Sequence, residues 1–160
     1  MLDKKIFIGI DPSLTGTGII VLDERGNIIQ SKLFNTKSTE EIEARFISIW
    51  KEIQKYTQKD SIINIEGVSF NSKGNTLIQL GALHYYIRIM MKKESLNFKV
   101  IEPKVLKKFI TGSGNAKKNL MLLQVYKKFG IEFSDDNLAD AYSLARMAWE
   151  DVVKNDKIFD

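Results

Sequence analysis

Residues 5–23 read KIFIGIDPSLTGTGIIVLD: two apolar runs joined by a short polar turn. The first run, KIFIGID, is continuous and rich in isoleucine, the pattern of a strand buried on both faces at the centre of a sheet. The second, TGIIVLD, follows so closely that it predicts an antiparallel partner. Glu24-Arg25-Gly26-Asn27 then supplies turn residues, and SKLF closes a third strand. The chain opens as a three-stranded antiparallel meander, and Asp11 ends its first apolar run.

Working outward, Ser38 with Glu41 in S-T-E-E predicts a capping box. Ile42, Phe46, Ile49, Trp50 and Ile53 then form the apolar stripe of a helix. SIINIEGV is a second central strand, ending near Glu66. From Asn75 to Lys92 the spacing predicts a helix that is apolar over much of its circumference. Such a helix is either buried within its own domain or buried twice, the second time against a partner. FKVIE is a fifth strand, Pro103 opens a short helix at its first position, ITGSGNA is a loop, and two further helices follow. Strands first, then strands alternating with helices, predict an α/β fold with helices covering a mixed sheet.

The 160 residues hold one core, so residues 1–160 are expected to form a single domain. Two prolines and the lack of any repeat or low-complexity segment leave no linker to divide it. The absence of cysteine excludes disulfides, thiolate catalysis and zinc–thiolate sites. The start, MLDKKIFIGIDPS, is read as a strand and not a signal peptide, and no apolar run approaches membrane-spanning length. A cytoplasmic protein with no membrane contact is expected. Between Lys99 and Lys128 eight lysines face one glutamate, a local charge of +7 that leaves −3 for the rest of the chain. A basic stretch on a mildly acidic body is the footprint of a phosphate-backbone binder; the plainer reading is a solvated helical face.

Asp11 and Glu66 both end apolar strands, at what is expected to be one edge of the sheet, where open α/β folds bind ligands. FSDDNLADAYSLARMAW, residues 133–149, predicts a helix with Leu138, Ala141, Leu144, Ala145 and Ala148 at helical spacing. Ser134 or Asp135 is its natural N-cap, and acids in its first turn are stabilising. That account does not reach Asp140, which lies one turn beyond Asp136 on a face of small residues. If this helix packs on the sheet by Leu144 and Ala145, Asp140 points to the edge that holds Asp11 and Glu66. Carboxylates about 4 Å apart repel by roughly 1 to 4 kcal/mol. Three of them without a histidine or cysteine cage call for a hard divalent cation, Mg²⁺ or Mn²⁺.

IGIDPSLTGTGI, IEGVSF with Glu66, Leu80-Gly81-Ala82, GSGNAKK and DDNLADAYSLA resemble, in order and at close spacing, the RuvC family of Holliday junction resolvases. The resemblance covers nearly the whole chain. It implies a ribonuclease H-like five-stranded mixed sheet flanked by helices, and a homodimer whose interface is expected on helix 75–92. It also implies two Mg²⁺ ions, for which Mn²⁺ substitutes, and paired nicks in four-way or other branched DNA. Asp11, Glu66 and Asp140 would be ligands, with one ion between Asp11 and Asp140 on the side of the attacking water and one between Asp11 and Glu66 on the side of the leaving 3′ oxygen. The family's fourth acid falls on Asn137, with Asp136 one residue earlier; register favours Asn137 and charge favours Asp136. Where the family often carries an aromatic wedge this chain has Ser69, followed by Phe70, which together with Lys73 is assigned to DNA. Lys107 and Lys118 match family positions near the scissile phosphate, and Lys104, Lys108 and Lys117 flank them.

GSGNAKK is rejected as a P-loop because it lacks the glycine directly before Lys-Ser/Thr and does not follow a strand. His84, the sole histidine, is read as a packing residue. Two rivals are an actin- or sugar-kinase-like ATP-binding domain and a catalytically inactive junction binder. A bacterial cytoplasm, or that of a phage-infected host, is the expected setting.

Overall fold

The computed structural model describes residues 5–156, apart from the side chains of Lys118, Asn155 and Asp156. Residues 1–4, part of the start read above as a strand, lie outside the described residues. β1 (Phe7–Asp11) sits in the middle of a five-stranded sheet of order β3-β2-β1-β4-β5. β2 (Gly16–Leu22) pairs with it antiparallel, and β3 (Ile28–Asn35) continues the meander. β3 is longer than the expected SKLF at both ends. β4 (Ile62–Glu66) and β5 (Asn97–Ile101) add in parallel on the other side of β1, so the sheet is mixed. Each parallel strand is reached through a helix, α1 (Ile42–Gln54) before β4 and α2 (Gly74–Lys93) before β5. α3 (Pro103–Thr111), α4 (Lys118–Phe129) and α5 (Asp136–Asp156) follow.

The strand period of two divides the apolar residues between two cores. Ile8, Ile10, Ile63 and Ile65 face α1 and α2, where they meet Ile49, Trp50, Ile53, Leu83 and Ile87. On the opposite face Phe7, Ile20 and Leu22 pack with Leu106, Val125, Tyr142 and Leu144 from α3, α4 and α5. Gly9, Asp11, Asn64 and Glu66 belong to this second face by alternation. The turn between β2 and β3 is closed by Asp23, whose Oδ1 accepts from the amides of Arg25 (2.9 Å) and Asn27 (2.8 Å), with Gly26 at φ +80°.

Two local expectations are corrected. The capping box at Ser38–Glu41 does not form: α1 starts at Ile42, and its N-cap Glu41 makes no side-chain cap. The turn before it uses the neighbouring acid instead, with Glu40 Oε1 accepting from the Lys37 amide at 3.0 Å and the Glu40 amide donating to the Lys37 carbonyl at 3.1 Å. That turn consumes the residues that the box needed. The loop ITGSGNA is also shorter than expected, since Ile110 and Thr111 complete α3. Gly112, at φ +81°, ends the helix by donating its amide to the Lys108 carbonyl.

α2 buries one apolar face through Leu83, Ile87 and Met91. Its other face leaves Ile78, Tyr85 and Ile89 at 71%, 59% and 62% exposure. These residues fall at i, i+7 and i+11, a single stripe, and Gly81 beside them has nothing within 4 Å of where a Cβ would stand.

Candidate metal centre

Ile10 pairs with Ile65 in the parallel register of β1 and β4, so the next residues, Asp11 and Glu66, leave the sheet side by side. α5 crosses the same edge and presents Asp140. One carboxylate oxygen from each of Asp11, Glu66 and Asp140 lies within 4.8 Å of the other two. Asp11 is only 6% exposed, and its two neighbours are half-buried. The three acids line a cleft of about 300 Å³.

Glycine brings α5 this close. A Cβ on Gly9 would stand 1.8 Å from the Ala141 carbonyl oxygen, and one on Gly18 would stand 2.2 Å from that of Asn137. The helix backbone therefore rests directly on the strands. Its N-terminus is fixed by Asp135, whose Oδ1 accepts from the amides of Asn137 (2.8 Å) and Leu138 (3.4 Å), so that of the two caps expected from sequence, Ser134 or Asp135, the second forms. The turn after Asp11 is braced from behind. Arg45, buried on α1, donates through Nε to Thr36 Oγ1 at 3.0 Å and through its guanidinium to the Leu14 carbonyl. Thr17 Oγ1 accepts from the Ser13 amide and donates to the Ser13 carbonyl.

Asp136 and Asn137 line the same cleft on the first turn of α5 but stand outside the group of three acids. The Asn137 carboxamide lies against Gly16, with Nδ2 3.3 Å from where its Cβ would be. Lys107 reaches the cleft, whereas Lys104, Lys108 and Lys117 are exposed outside it. Lys118 begins α4, and its side chain lies outside the described residues. Phe70, at 82% exposure, and the exposed Lys73 belong to the segment between β4 and α2. The polar side chains of Ser69, Asn71 and Ser72 in that segment also line the cleft.

His84 is buried at the back of the cleft. Burial holds its imidazole down to about 4, with the Arg88 charge acting in the same sense against a hydrogen bond to the Glu66 main chain. It is neutral at pH 7 and brings no positive charge to the acids, in keeping with a packing residue. Arg45 and Asn64 were missed by sequence reasoning. Arg45 falls between Ile42 and Ile49 on the buried stripe of α1, and Asn64 is the one polar residue inside SIINIE, so each had a visible signal.

The crossover junction endodeoxyribonuclease RuvC family model matches residues 7–147. RuvC of Brachyspira hyodysenteriae is 28% identical over 145 residues, covering 88% of this chain and 91% of that protein. RuvC of Rickettsia typhi is 30% identical over 125 residues, covering 75% and 80%. Among solved structures, Thermus thermophilus RuvC in complex with a Holliday junction substrate superposes with a TM-score of 0.70 at 17% identity, covering 93% of this chain and 96% of that one. The fowlpox virus resolvase bound to Holliday junction DNA gives 0.59 at 13% identity, covering 94% and 99%. These structures share the ribonuclease H-like fold that the resemblance implied, a five-stranded mixed sheet with flanking helices. The match from β1 through most of α5 spans every element that carries the acid cluster, and the chain belongs to the RuvC family of crossover junction endodeoxyribonucleases.

Proposed function

We propose that this chain is a structure-selective DNA endonuclease that resolves four-way junctions, and acts on other branched DNA, by metal-dependent hydrolysis giving paired symmetric nicks. The observation that carries this reading is the convergence of Asp11, Glu66 and Asp140 from β1, β4 and α5 to within 4.8 Å. Their donor set is made of oxygen alone, which fits hard divalent cations, Mg²⁺ with Mn²⁺ as a substitute, two per site. Bound there, such ions supply Lewis-acid activation of water and stabilisation of the leaving oxygen. Asp11, the most buried of the three, would help to hold both ions, with Asp140 for one and Glu66 for the other. Asp136 and Asn137 offer a further carboxylate and carboxamide oxygen to the same cleft.

Lys107, within the cleft, and Lys118, at the start of α4, neutralise charge on the scissile phosphate. Lys73, Lys104, Lys108 and Lys117 hold the flanking backbone, a contact that weakens with salt. The exposed Phe70 ring stacks on a base at the strand exchange. Family membership removes the kinase-like rival. Each copy of the chain is a single nuclease domain, acting in the cytoplasm of a bacterium or phage-infected host, and among the described residues no helix is long and apolar enough to cross a membrane.

The test is cleavage of a synthetic four-way junction by the full chain with Mg²⁺ and with EDTA. Symmetric nicks bearing 5′ phosphates are expected with Mg²⁺ alone. Tight junction binding with no nick in Mg²⁺ or Mn²⁺ would make the protein an inactive binder and overturn the reading.

Paired nicks need two sites related by a two-fold axis. A second copy docks on the exposed α2 stripe of Ile78, Tyr85 and Ile89, where Gly81 lets helices approach closely. Ile89→Glu is expected to convert the dimer to monomer in sedimentation velocity, and to replace concerted double nicks by single ones. A variant that still sediments as a dimer would place the interface elsewhere.

A further inference from the structure

We propose that Asn64 is a positioning residue for the metal centre, holding α5 at the height on the sheet where Asp140 meets Asp11 and Glu66. The inference rests on the metal-site reading above. Asn64 lies in the middle of β4, is 2% exposed, and its Nδ2 donates to the Leu144 carbonyl of α5 at 3.1 Å. A polar side chain in an apolar strand is costly unless hydrogen-bonded. Here the bond joins two elements that are 80 residues apart in sequence.

The spacing ties this bond to the acids. Asn64 and Glu66 are two residues apart on one strand, so both side chains face α5, about 6.6 Å apart along β4. Leu144 and Asp140 are four residues apart, about 6.0 Å along the helix axis. The two intervals nearly match. Fixing Leu144 on Asn64 thus fixes Asp140 beside Glu66. Gly9 is the residue paired with Asn64 in the β1–β4 register, and there the α5 backbone touches β1 at Ala141 and Ala145. One row of the sheet, Gly9 and Asn64, seats the helix, while the next, Asp11 and Glu66, holds the acids. Backbone contact at glycine sets the depth of α5 but opposes sliding only weakly, because glycine has no side chain to engage. The directional bond from Asn64 sets the register.

The test uses the full chain with Asn64→Leu, which keeps the branching of the side chain without its donor, and with Asn64→Ala. Mn²⁺ binding, followed as free ion by electron paramagnetic resonance, is expected to weaken by roughly tenfold, with junction affinity in EDTA within about twofold of the parent. The melting temperature is expected to fall by no more than about 5 °C. A purely structural residue would lower melting and leave Mn²⁺ binding by the folded fraction unchanged. Parental Mn²⁺ affinity in either folded variant overturns the proposal, as does failure of both to fold, which would make Asn64 a residue of stability alone. If the parent chain itself binds no Mn²⁺, the metal-site reading fails first, and this inference with it.

Discussion

Asp11→Asn, Glu66→Gln and Asp140→Asn are each expected to lower four-way junction nicking by at least about 10³-fold, with junction affinity equal to or above that of the parent. That factor corresponds to about 4 kcal/mol of transition-state stabilisation, within what a bound divalent cation supplies at a phosphoryl group. Affinity moves the other way because each variant removes a negative charge from a cleft that must accept a phosphate. The largest loss is expected at Asp11. It is the most buried of the three acids and ends the central strand of the sheet, and because it is the ligand proposed for both ions its loss would disturb both. On the same proposal Glu66 and Asp140 would each hold one ion. Single-turnover cleavage at saturating enzyme, beside gel-shift affinities in EDTA, separates the two effects. Any one of these variants nicking within tenfold of the parent would remove that residue from the site.

The convergence behind that expectation was legible because each acid closes a strand or lies one turn inside a helix whose apolar face is plain. KIFIGID and SIINIE announce central strands, and helical spacing through Leu144 and Ala145 orients Asp140 towards them. Turn chemistry was less legible. Ser38 and Glu41 satisfy the capping pattern, yet Glu40 bonds to the Lys37 amide first and starts α1 later; one-residue competition between acids is decided by loop geometry that no pattern encodes. Arg45 looks like surface charge until its position on the stripe of Ile42, Phe46 and Ile49 is counted. Its partners, Leu14 and Thr36, come from segments that only the folded sheet brings together. Asn64 shows the same limit: its oddity is visible in the strand, but its partner lies on α5. Positions with period-two or helical spacing and the antiparallel meander were readable, whereas side-chain partners drawn from distant segments were not.

Gly9→Ala should then be the most damaging single methyl group that can be added to this chain. Alanine suits a strand no worse than glycine does, and Gly9 does not have the positive φ that glycine alone tolerates, so the local backbone raises no objection. The objection comes from α5. The new Cβ would stand 1.8 Å from the Ala141 carbonyl oxygen, 2.5 Å from the Ala145 nitrogen and 2.9 Å from the Ala141 carbonyl carbon. All three are main-chain atoms of a helix, so no rotamer change relieves the clash. The helix must lift by about 1.5 Å to restore van der Waals separation. Lifting strips contact from the core shared by Ile20, Leu144 and Tyr142, and it carries Asp140 away from Asp11, two residues from the site of the change. A destabilisation of about 3–5 kcal/mol is expected, above the usual range for overpacking because the obstacle is backbone. In a chain of this size that lowers the melting temperature by about 10–15 °C. Urea denaturation measures the first quantity, and junction cleavage at a temperature where the variant remains folded measures the second effect, which should approach the loss expected of Asp140→Asn. A variant within about 1 kcal/mol of the parent that also cleaves normally would mean that α5 does not rest on β1 as described, and the placement of Asp140 would have to be drawn again.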